Sequence, residues 1–596
     1  MPPSETLALE SDSAEAGALN SGADADPGAD GFVAVAELDK LRARRVMVVK
    51  HGKKQIAIFA SGPEVYACNN RCPHEGYPLS EGSLSENCLL TCNWHNWKFD
   101  LESGKTLIGG DTLRRYPVRL ADGKVWLDVS DPPAEARAAA ALVGLRKAFE
   151  NHDRFREYEH MARELARYMK AGGDPLETLR QAIHWAHDRL QYGTSHAIAA
   201  AADWLDLRDW KAKDDPVANL AILTEAIGHF AWDCLREPSY PYPEGQAPYR
   251  PADLVAAIEA EDEAAAVAQV RGALAEGLSF ADLEAPLAEA ALAHYADFGH
   301  SVIYVAKTGQ LIAHLGPTVA EPLLLALVRS LSYAFREDLI PEFRAYGPAL
   351  ADWPEGERPG AGPGAAAPRA QDFIGLATPA ALARARDFAA DPRGLHRALL
   401  GASAWQMLHF DAKSEARNDG PVQDNVGWLD FTHPLTFGNA VRELCTRHPR
   451  LWPRGLLQMA CFAGRNAGYV DRDLDVTPWR VEALGPPGAG GAGGAQFLED
   501  AAARLLDHGQ PEYILSSHLL KTFMAVRAET AELSEESSSG ESSSGRSVSG
   551  ESASGESAAV RADLLAALNR FLNAPIKRKF TLRSAHQSLD FVARED

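Results

Sequence analysis

Apolar and polar positions change rhythm once along this chain of 596 residues, near residue 130. Before that point, apolar residues alternate or cluster in short runs, as in Gln55-Ile-Ala-Ile-Phe59 and Val65-Tyr-Ala67 around a Ser61-Gly62-Pro63 turn, which predicts strands. Trp97-Lys-Phe-Asp100 leads through Ser103-Gly104 toward another strand, and Arg115-Tyr-Pro-Val-Arg119 with Val125-Trp-Leu-Asp-Val129 predicts a closing hairpin across Asp122-Gly123. Residues 31–131 therefore predict a small antiparallel β domain. From 134 to 596, apolar residues recur at three- and four-residue steps and Gly or Pro marks the breaks, which predicts helix after helix. Asp174-Pro175 predicts a capped helix start, and Gly193-Thr-Ser195 the end of that helix and the cap of the next. The fold class is multidomain, a small β domain followed by a large all-α domain, with a division into two lobes near 360 as the alternative.

Three kinds of spacer interrupt this pattern. Residues 1–30 hold seven acidic residues and no Lys or Arg, and predict a disordered acidic tail. Residues 353–369 and 484–494 are rich in Pro, Gly and Ala and read as loops. Residues 534–558 repeat Ser-Gly-Glu units and predict a disordered insertion looping out of the helical domain, which resumes at Arg561.

Charge narrows the partners. A net charge of −22 and a pI near 5.4 argue against nucleic acid or an anionic membrane, since phosphate-binding surfaces need Lys and Arg in excess. There is no 18-residue apolar run and no charged-then-apolar N-terminus, and Arg44-Arg45 lacks the apolar stretch that twin-arginine export requires. Seven Cys fit a reducing interior better than a disulfide framework, so the expected compartment is the cytoplasm.

The densest chemistry lies in Cys72-Pro-His74 and Cys92-Asn-Trp-His95, with 17 residues between His74 and Cys92. Each pair offers one thiolate and one imidazole, a soft donor set drawn from two loops. In Cys72-Pro-His74-Glu-Gly-Tyr-Pro-Leu79 and Cys92-Asn-Trp-His95-Asn-Trp-Lys-Phe-Asp100 the chain resembles the ferredoxin-type Rieske family. The resemblance covers residues 31–131 and implies a [2Fe-2S] cluster bound by Cys72, His74, Cys92 and His95, with two His replacing two Cys on one iron. Respiratory Rieske domains carry an extra Cys in each loop; Tyr77 and Asn93 or Trp94 stand there instead, which implies the low-potential, soluble-carrier kind. Cys68 and Cys88 read as small packed side chains. Asn96 departs from the family, which usually has Gly after the second His, and bears on loop packing or a sulfur hydrogen bond. The competing reading is structural zinc, yet zinc fingers pair Cys with Cys and His with His at short spacings.

In the helical region, histidines recur beside carboxylates. Glu157-x-x-His160, Asp297-x-x-His300 and Asp430-x-x-His433 each place an acid and an imidazole on one helical face, as do Glu225 and His229 with Asp233 a turn on. His184, His187 and His196 form another group, and His294 precedes His300. Two readings stand. These are ordinary solvated or core-satisfied side chains, or some of them build a second iron site from Glu157, His160, His184, His187, Glu225, His229, Asp297 and His300, with His300, His433, Asp297 and Asp430 as catalytic candidates. Di-iron bundles use Glu-x-x-His, which only Glu157–His160 matches. Trp428, Phe431, Arg465 and Asn466 suggest a pocket, although aromatic–Gly interleaving favours helix packing.

Rieske oxygenases pair their cluster with a mixed α/β domain whose iron-binding His are spaced by four or five residues; the helical pattern and the His spacing here do not match. The helical region has a faint likeness to questin-oxidase-like oxygenases, with no motif aligned. Two functions are therefore expected. In the first, single electrons from an external reductase or ferredoxin reach the cluster, with His74 and His95 facing the partner, and pass to the helical domain for an oxygenase reaction with O₂ on a small organic substrate. In the second, the chain is a non-catalytic electron carrier or redox sensor fused to a helical interaction domain.

Overall fold

The alternation of residues 46–69 becomes three consecutive strands, and the middle one, β3 (Lys54–Ser61), shows why its apolar run is unbroken. In the computed structural model, Ile56 and Ile58 of β3 enter one core with Met47, Val65 and Leu127, while Ala57 and Phe59 enter a second with Cys72, Cys92 and Trp97. A strand buried on both faces has no polar side to alternate with. The structure describes residues 31–152, 156–234, 239–354, 367–421, 425–481, 492–542, 548–576 and 581–594; the expected tail at 1–30 and most of the spacers at 353–369 and 484–494 lie outside them.

Eleven strands make three antiparallel sheets among the described residues. β1 (Phe32–Glu37), β11 (Lys124–Asp128) and β10 (Val118–Ala121) form the first. β2 (Val46–His51), β3 (Lys54–Ser61), β4 (Glu64–Asn69) and β9 (Arg115–Tyr116) form the second. β5 (Ser83–Leu84), β6 (Leu89–Thr91), β7 (Lys98–Asp100) and β8 (Thr106–Ile108) form the third. The hairpin at Asp122-Gly123 has both central residues at positive φ, 52° and 71°, as a tight two-residue turn requires. The expected strand Arg115–Arg119 is instead split: β9 pairs with β4 and β10 with β11, divided at Pro117, which has no N–H for a ladder.

The rest of the described chain is helical, and its first two helices belong with the strands. One compact unit runs to Thr178 and a second begins at Leu179. After α1 (Leu38–Arg44), which lies between β1 and β2, helices α2 (Ala134–Glu150) and α3 (Arg156–Lys170) thus group with the β domain, whereas the sequence placed that boundary at 131–134. A second difference concerns 534–558: residues 534–542 end the helix Tyr513–Ser542 and 548–558 begin the helix Val548–Leu572, with only 543–547 outside the described residues. Helix formation is cooperative, so two long packed helices extend into Ser- and Gly-rich ends that would not nucleate alone.

Within the second unit, four helices form a closed ring of contacts: His196–Leu207 packs on His300–Leu315, that on Trp428–Arg447, that on Tyr513–Ser542, and the last returns to the first. Ala197, Ala199, Ala200, Ala201 and Ala202 are all buried, and side chains this small let the neighbouring helices come close.

Candidate functional site

Two loops of the first unit repeat one geometry. In the first, the Cys72 N–H donates to the Tyr77 carbonyl at 2.9 Å and the Gly76 N–H to the Cys72 carbonyl at 2.8 Å. In the second, Cys92 donates to Trp97 at 2.8 Å and Asn96 to Cys92 at 3.0 Å. Gly76 and Asn96 occupy the same step of the two turns, both left-handed with φ of 78° and 60°. Asn is one of the few residues with a side chain that visits this region readily, which is how it stands where Gly is usual.

The loops bring their donors together. Cys72 and Cys92 are 3% and 1% exposed and lie against each other. The imidazoles of His74 and His95 meet edge-on with centroids 4.7 Å apart. Burial pushes the Cys72 thiol up to about 12, opposed by the His74 and Glu75 backbone N–H groups that bond to its sulfur and reinforced by the Cys92 thiol. This donor set, two paired thiols and two paired imidazoles, fits a cluster bound by sulfur on one side and nitrogen on the other.

The two imidazoles differ in support. His74 stacks on the buried Trp97, with centroids 4.7 Å apart and planes 8° apart, whereas His95 stacks on Trp94, which is 57% exposed. Tyr77 meets Trp94 edge-on at 5.4 Å, so an aromatic contact joins the loops where a disulfide would otherwise do so, and all seven cysteines are free thiols. Asn93 anchors the second loop by donating to the Glu81 carbonyl at 2.9 Å and accepting from Ser83 at 2.8 Å.

Helix α3 backs the first loop. Arg163 donates to the His74 carbonyl at 3.4 Å and to Asp111 at 3.2 Å, and Arg167 grips both Asp111 oxygens at 2.9 and 3.0 Å. Asp111 is fully buried; burial alone would raise its carboxyl, but Arg167, His160 and Arg163 together hold it below the usual range. A carboxylate with a depressed folded pKa contributes stability that is complete above its unfolded value and is lost as pH falls through the folded one. Asp111→Asn should cost about 2–3 kcal/mol at pH 7, below the usual figure for breaking a buried pair because Arg167 is partly exposed. In thermal unfolding, the gap between wild type and variant should close as pH drops below about 5; a gap independent of pH would remove Asp111 from this role.

In the second unit, four histidines converge inside the ring of helices. His300 Nε2 lies 3.0 Å from His433 Nε2 and 3.2 Å from His196 Nε2. The His518 ring lies 4.9 Å from that of His196 and 5.1 Å from that of His433. His300 follows a turn in which Asp297, Phe298 and Gly299 are all left-handed, with φ of 51°, 50° and 78°. The Phe298 N–H donates to Glu337 at 2.8 Å and the Asp297 N–H to the Phe335 carbonyl at 2.8 Å, contacts that hold this strained backbone in place.

The other candidates lie elsewhere. Asp430 caps its helix by accepting from the Gly427 N–H at 2.8 Å and pairs with Arg465 at 3.0 Å, so its carboxylate does not join His433. Asn466 donates to the Asp430 carbonyl left open by Pro434, and Trp428 and Phe431 pack on Phe410, a packing role for all three. Asp297 gives its backbone carbonyl to His300 rather than its carboxylate, which burial raises to about 7. Glu225 meets His508 at 3.3 Å and Ser516 at 3.2 Å, while His229 stacks on Tyr513 and faces Asp233 at 3.7 Å. His187 stacks on Tyr242, His184 is exposed, and His294 bridges Asp338 and Glu259. His160 belongs to the first unit beside Asp111 and Glu164, and the Glu157 side chain lies outside what is described. These residues do not form one site. Sequence reasoning missed His518, whose only signal is a His-x-x-Lys pair, His518 and Lys521, on an otherwise apolar helix face.

Comparison with known proteins adds a family. The Rieske [2Fe-2S] domain matches residues 31–113. Over 112 residues the chain is 38% identical to the 4beta-methylsterol monooxygenase of Methylococcus capsulatus, covering 16% of this chain and 30% of that protein. Over 78 residues it is 37% identical to the 3-phenylpropionate/cinnamic acid dioxygenase ferredoxin subunit of Photorhabdus laumondii, covering 13% of this chain and 74% of the relative. The chain thus spans less than a third of the length of the first and about three quarters of the second. Among solved structures, the ferredoxin of carbazole 1,9a-dioxygenase from Nocardioides aromaticivorans is 24% identical, with a TM-score of 0.16, covering 16% of this chain and 95% of that one.

Proposed function

The chain belongs to the Rieske [2Fe-2S] family through residues 31–113, and from that premise we propose that it is a redox protein that takes electrons singly from a reductase or ferredoxin and uses them in its helical unit, in an oxygenase reaction of O₂ with a small organic substrate. The observation that carries the proposal is the repeated loop geometry, which sets two buried thiols beside two paired imidazoles. Cys72 and Cys92 would hold the buried iron of the cluster, and His74 and His95 the outer one. When bound, the cluster supplies one-electron transfer at a potential raised by its imidazole ligands. The exposure of Trp94 on His95 supports electron entry on that side, because the stacked indole extends the imidazole edge to the surface. Trp97 shields His74 from water, and the Glu75 carboxylate lies 3.7 and 3.8 Å from the two imidazoles.

Relatives named as a dioxygenase ferredoxin subunit and a monooxygenase support electron supply to an oxygenase reaction. Placing carrier and consumer on one chain raises the effective concentration of one for the other. Anaerobically purified chain should contain two acid-labile sulfides and, once reduced, a Rieske-type electron paramagnetic signal. With a reductase present it should consume O₂ faster when substrate is added. Zinc without sulfide would overturn the carrier reading; sulfide with no stimulated O₂ uptake across an aromatic and sterol-like substrate panel would favour a carrier or sensor with no reaction of its own.

A further inference from the structure

We infer that His196, His300, His433 and His518 bind one divalent first-row transition ion at the centre of the helical unit. Each comes from a different helix of the closed ring, and metal sites in bundles are built in this way, from inward side chains on facing helices.

Hydrogen bonding fixes what these rings offer. His300 Nδ1 lies 2.6 Å from the Asp297 carbonyl, His433 Nδ1 2.5 Å from the Leu429 carbonyl and His518 Nδ1 2.7 Å from the Ile514 carbonyl. A carbonyl only accepts, so each Nδ1 carries the proton. A neutral imidazole has one N–H, which leaves a bare lone pair on Nε2 of each of these three rings. Yet His433 Nε2 stands 3.0 Å from His300 Nε2, with His196 Nε2 a further neighbour of His300 at 3.2 Å. The facing lone pairs of His300 and His433 repel unless an electron-poor centre lies between them.

That centre is a proton or a metal. A proton would make an imidazolium in a buried region that already holds Lys521, which is 2% exposed, has no hydrogen-bond partner among the described residues and bears on His196, His300 and His433. A metal with nitrogen bonds of about 2.1 Å sets neighbouring ligands about 3.0–3.4 Å apart, the separation found here. The ligand nitrogens of His196, His433 and His518 lie within 4.8 Å of one another. His196 and His300 keep some accessible surface. Backbone carbonyls on Nδ1 are also the outer partners that ligating histidines commonly have.

The ligand chemistry names the class of ion. Four imidazoles with no thiolate or carboxylate suit iron, zinc, copper or nickel and not magnesium or calcium. Four neutral donors leave the charge of the ion uncompensated, and Lys521 adds to it, so the ion would draw an exogenous anion such as hydroxide as a further ligand. The Asp203–Lys307 ion pair, at 2.7 Å, lies two turns along from His196 and His300 and is neutral overall. The site stands on residues 196–518 alone and does not depend on the Rieske reading.

The test uses the full chain as purified, titrated anaerobically with Co(II). One equivalent should bind with the ligand-field absorption of a nitrogen-coordinated ion and raise the unfolding temperature. His300→Ala and His433→Ala should each weaken binding roughly 100-fold or more, beyond the cost of losing an outer partner alone. His518→Gln, which keeps a side-chain donor near the Ile514 carbonyl, guards against a folding failure and should also weaken binding. Sulfide content and the Rieske signal should stay unchanged in all three. Absence of Co(II) bands in wild type, or bands that persist in a His300→Ala/His433→Ala double variant, would overturn the site. Loss of sulfide with Co(II) still bound would instead overturn the electron-carrier reading and leave this site intact.

Discussion

His95→Ala is expected to abolish the reduced [2Fe-2S] electron paramagnetic signal while leaving the chain folded. The imidazole stands on the outer side of the paired donors, with its side chain 34% exposed, so its removal takes away few packing contacts. What it removes is an imidazole ligand, for which the nearby Glu75 carboxylate offers only a harder oxygen donor. Asn93 is committed to Glu81 and Ser83, and Trp94 offers only an N–H. An iron left with an open position exchanges with solvent and sulfide is lost, so sulfide per chain should fall with the signal. Trp94→Ala is the control: it strips the surface of His95 without touching a donor atom and should keep the signal while slowing reduction by a partner. A wild-type spectrum in His95→Ala would refute the ligand assignment.

Gly299→Ala should destabilise the helical unit strongly, for two separable reasons. Its φ of 78° lies where a side chain is strained, at about 1–2 kcal/mol. Its added Cβ would also stand 2.7 Å from Phe437 and 3.0 Å from Phe462, aromatic rings in the core that cannot swing away. Overpacking of this kind adds about 1–3 kcal/mol. Gly277→Ala separates the two causes, because Gly277 ends its helix in the left-handed conformation, with φ of 80°, but has open space around its Cβ position. Thermal unfolding should show Gly299→Ala losing about 2–5 kcal/mol and Gly277→Ala about 1–2. Equal losses would mean that the rings near Gly299 yield freely.

The donor pairs of the first unit were legible in the sequence because each is a short-range pattern: one Cys and one His in each of two tight loops, with strand alternation on either side. Asn96 looked like a departure only because a sequence does not display φ; the backbone gives it the same left-handed step as Gly76. The four-histidine cluster was not legible in the same way. Its members are separated by 104 residues from His196 to His300 and 133 from His300 to His433, and only packing of distant helices brings them together. The acid–His spacing that drew attention to Asp297 and Asp430 was real, but at a helix start an acid three residues before a His is also where a capping side chain sits. Asp430 caps, and Asp297 contributes only its carbonyl. The strand boundary at Pro117 and the helical ends of the Ser-Gly-Glu segment depended likewise on partners far along the chain.

The grip of Arg163 on the His74 carbonyl and on Asp111 sets the smallest portion of this chain that can be transplanted as an electron carrier. A graft cut after β11 would match the family but leave Asp111 without the guanidinium partners that neutralise it and the first loop without its brace. A donor fragment reaching residue 170 keeps both, so the boundary useful to an engineer lies 57 residues beyond residue 113, where the family match ends.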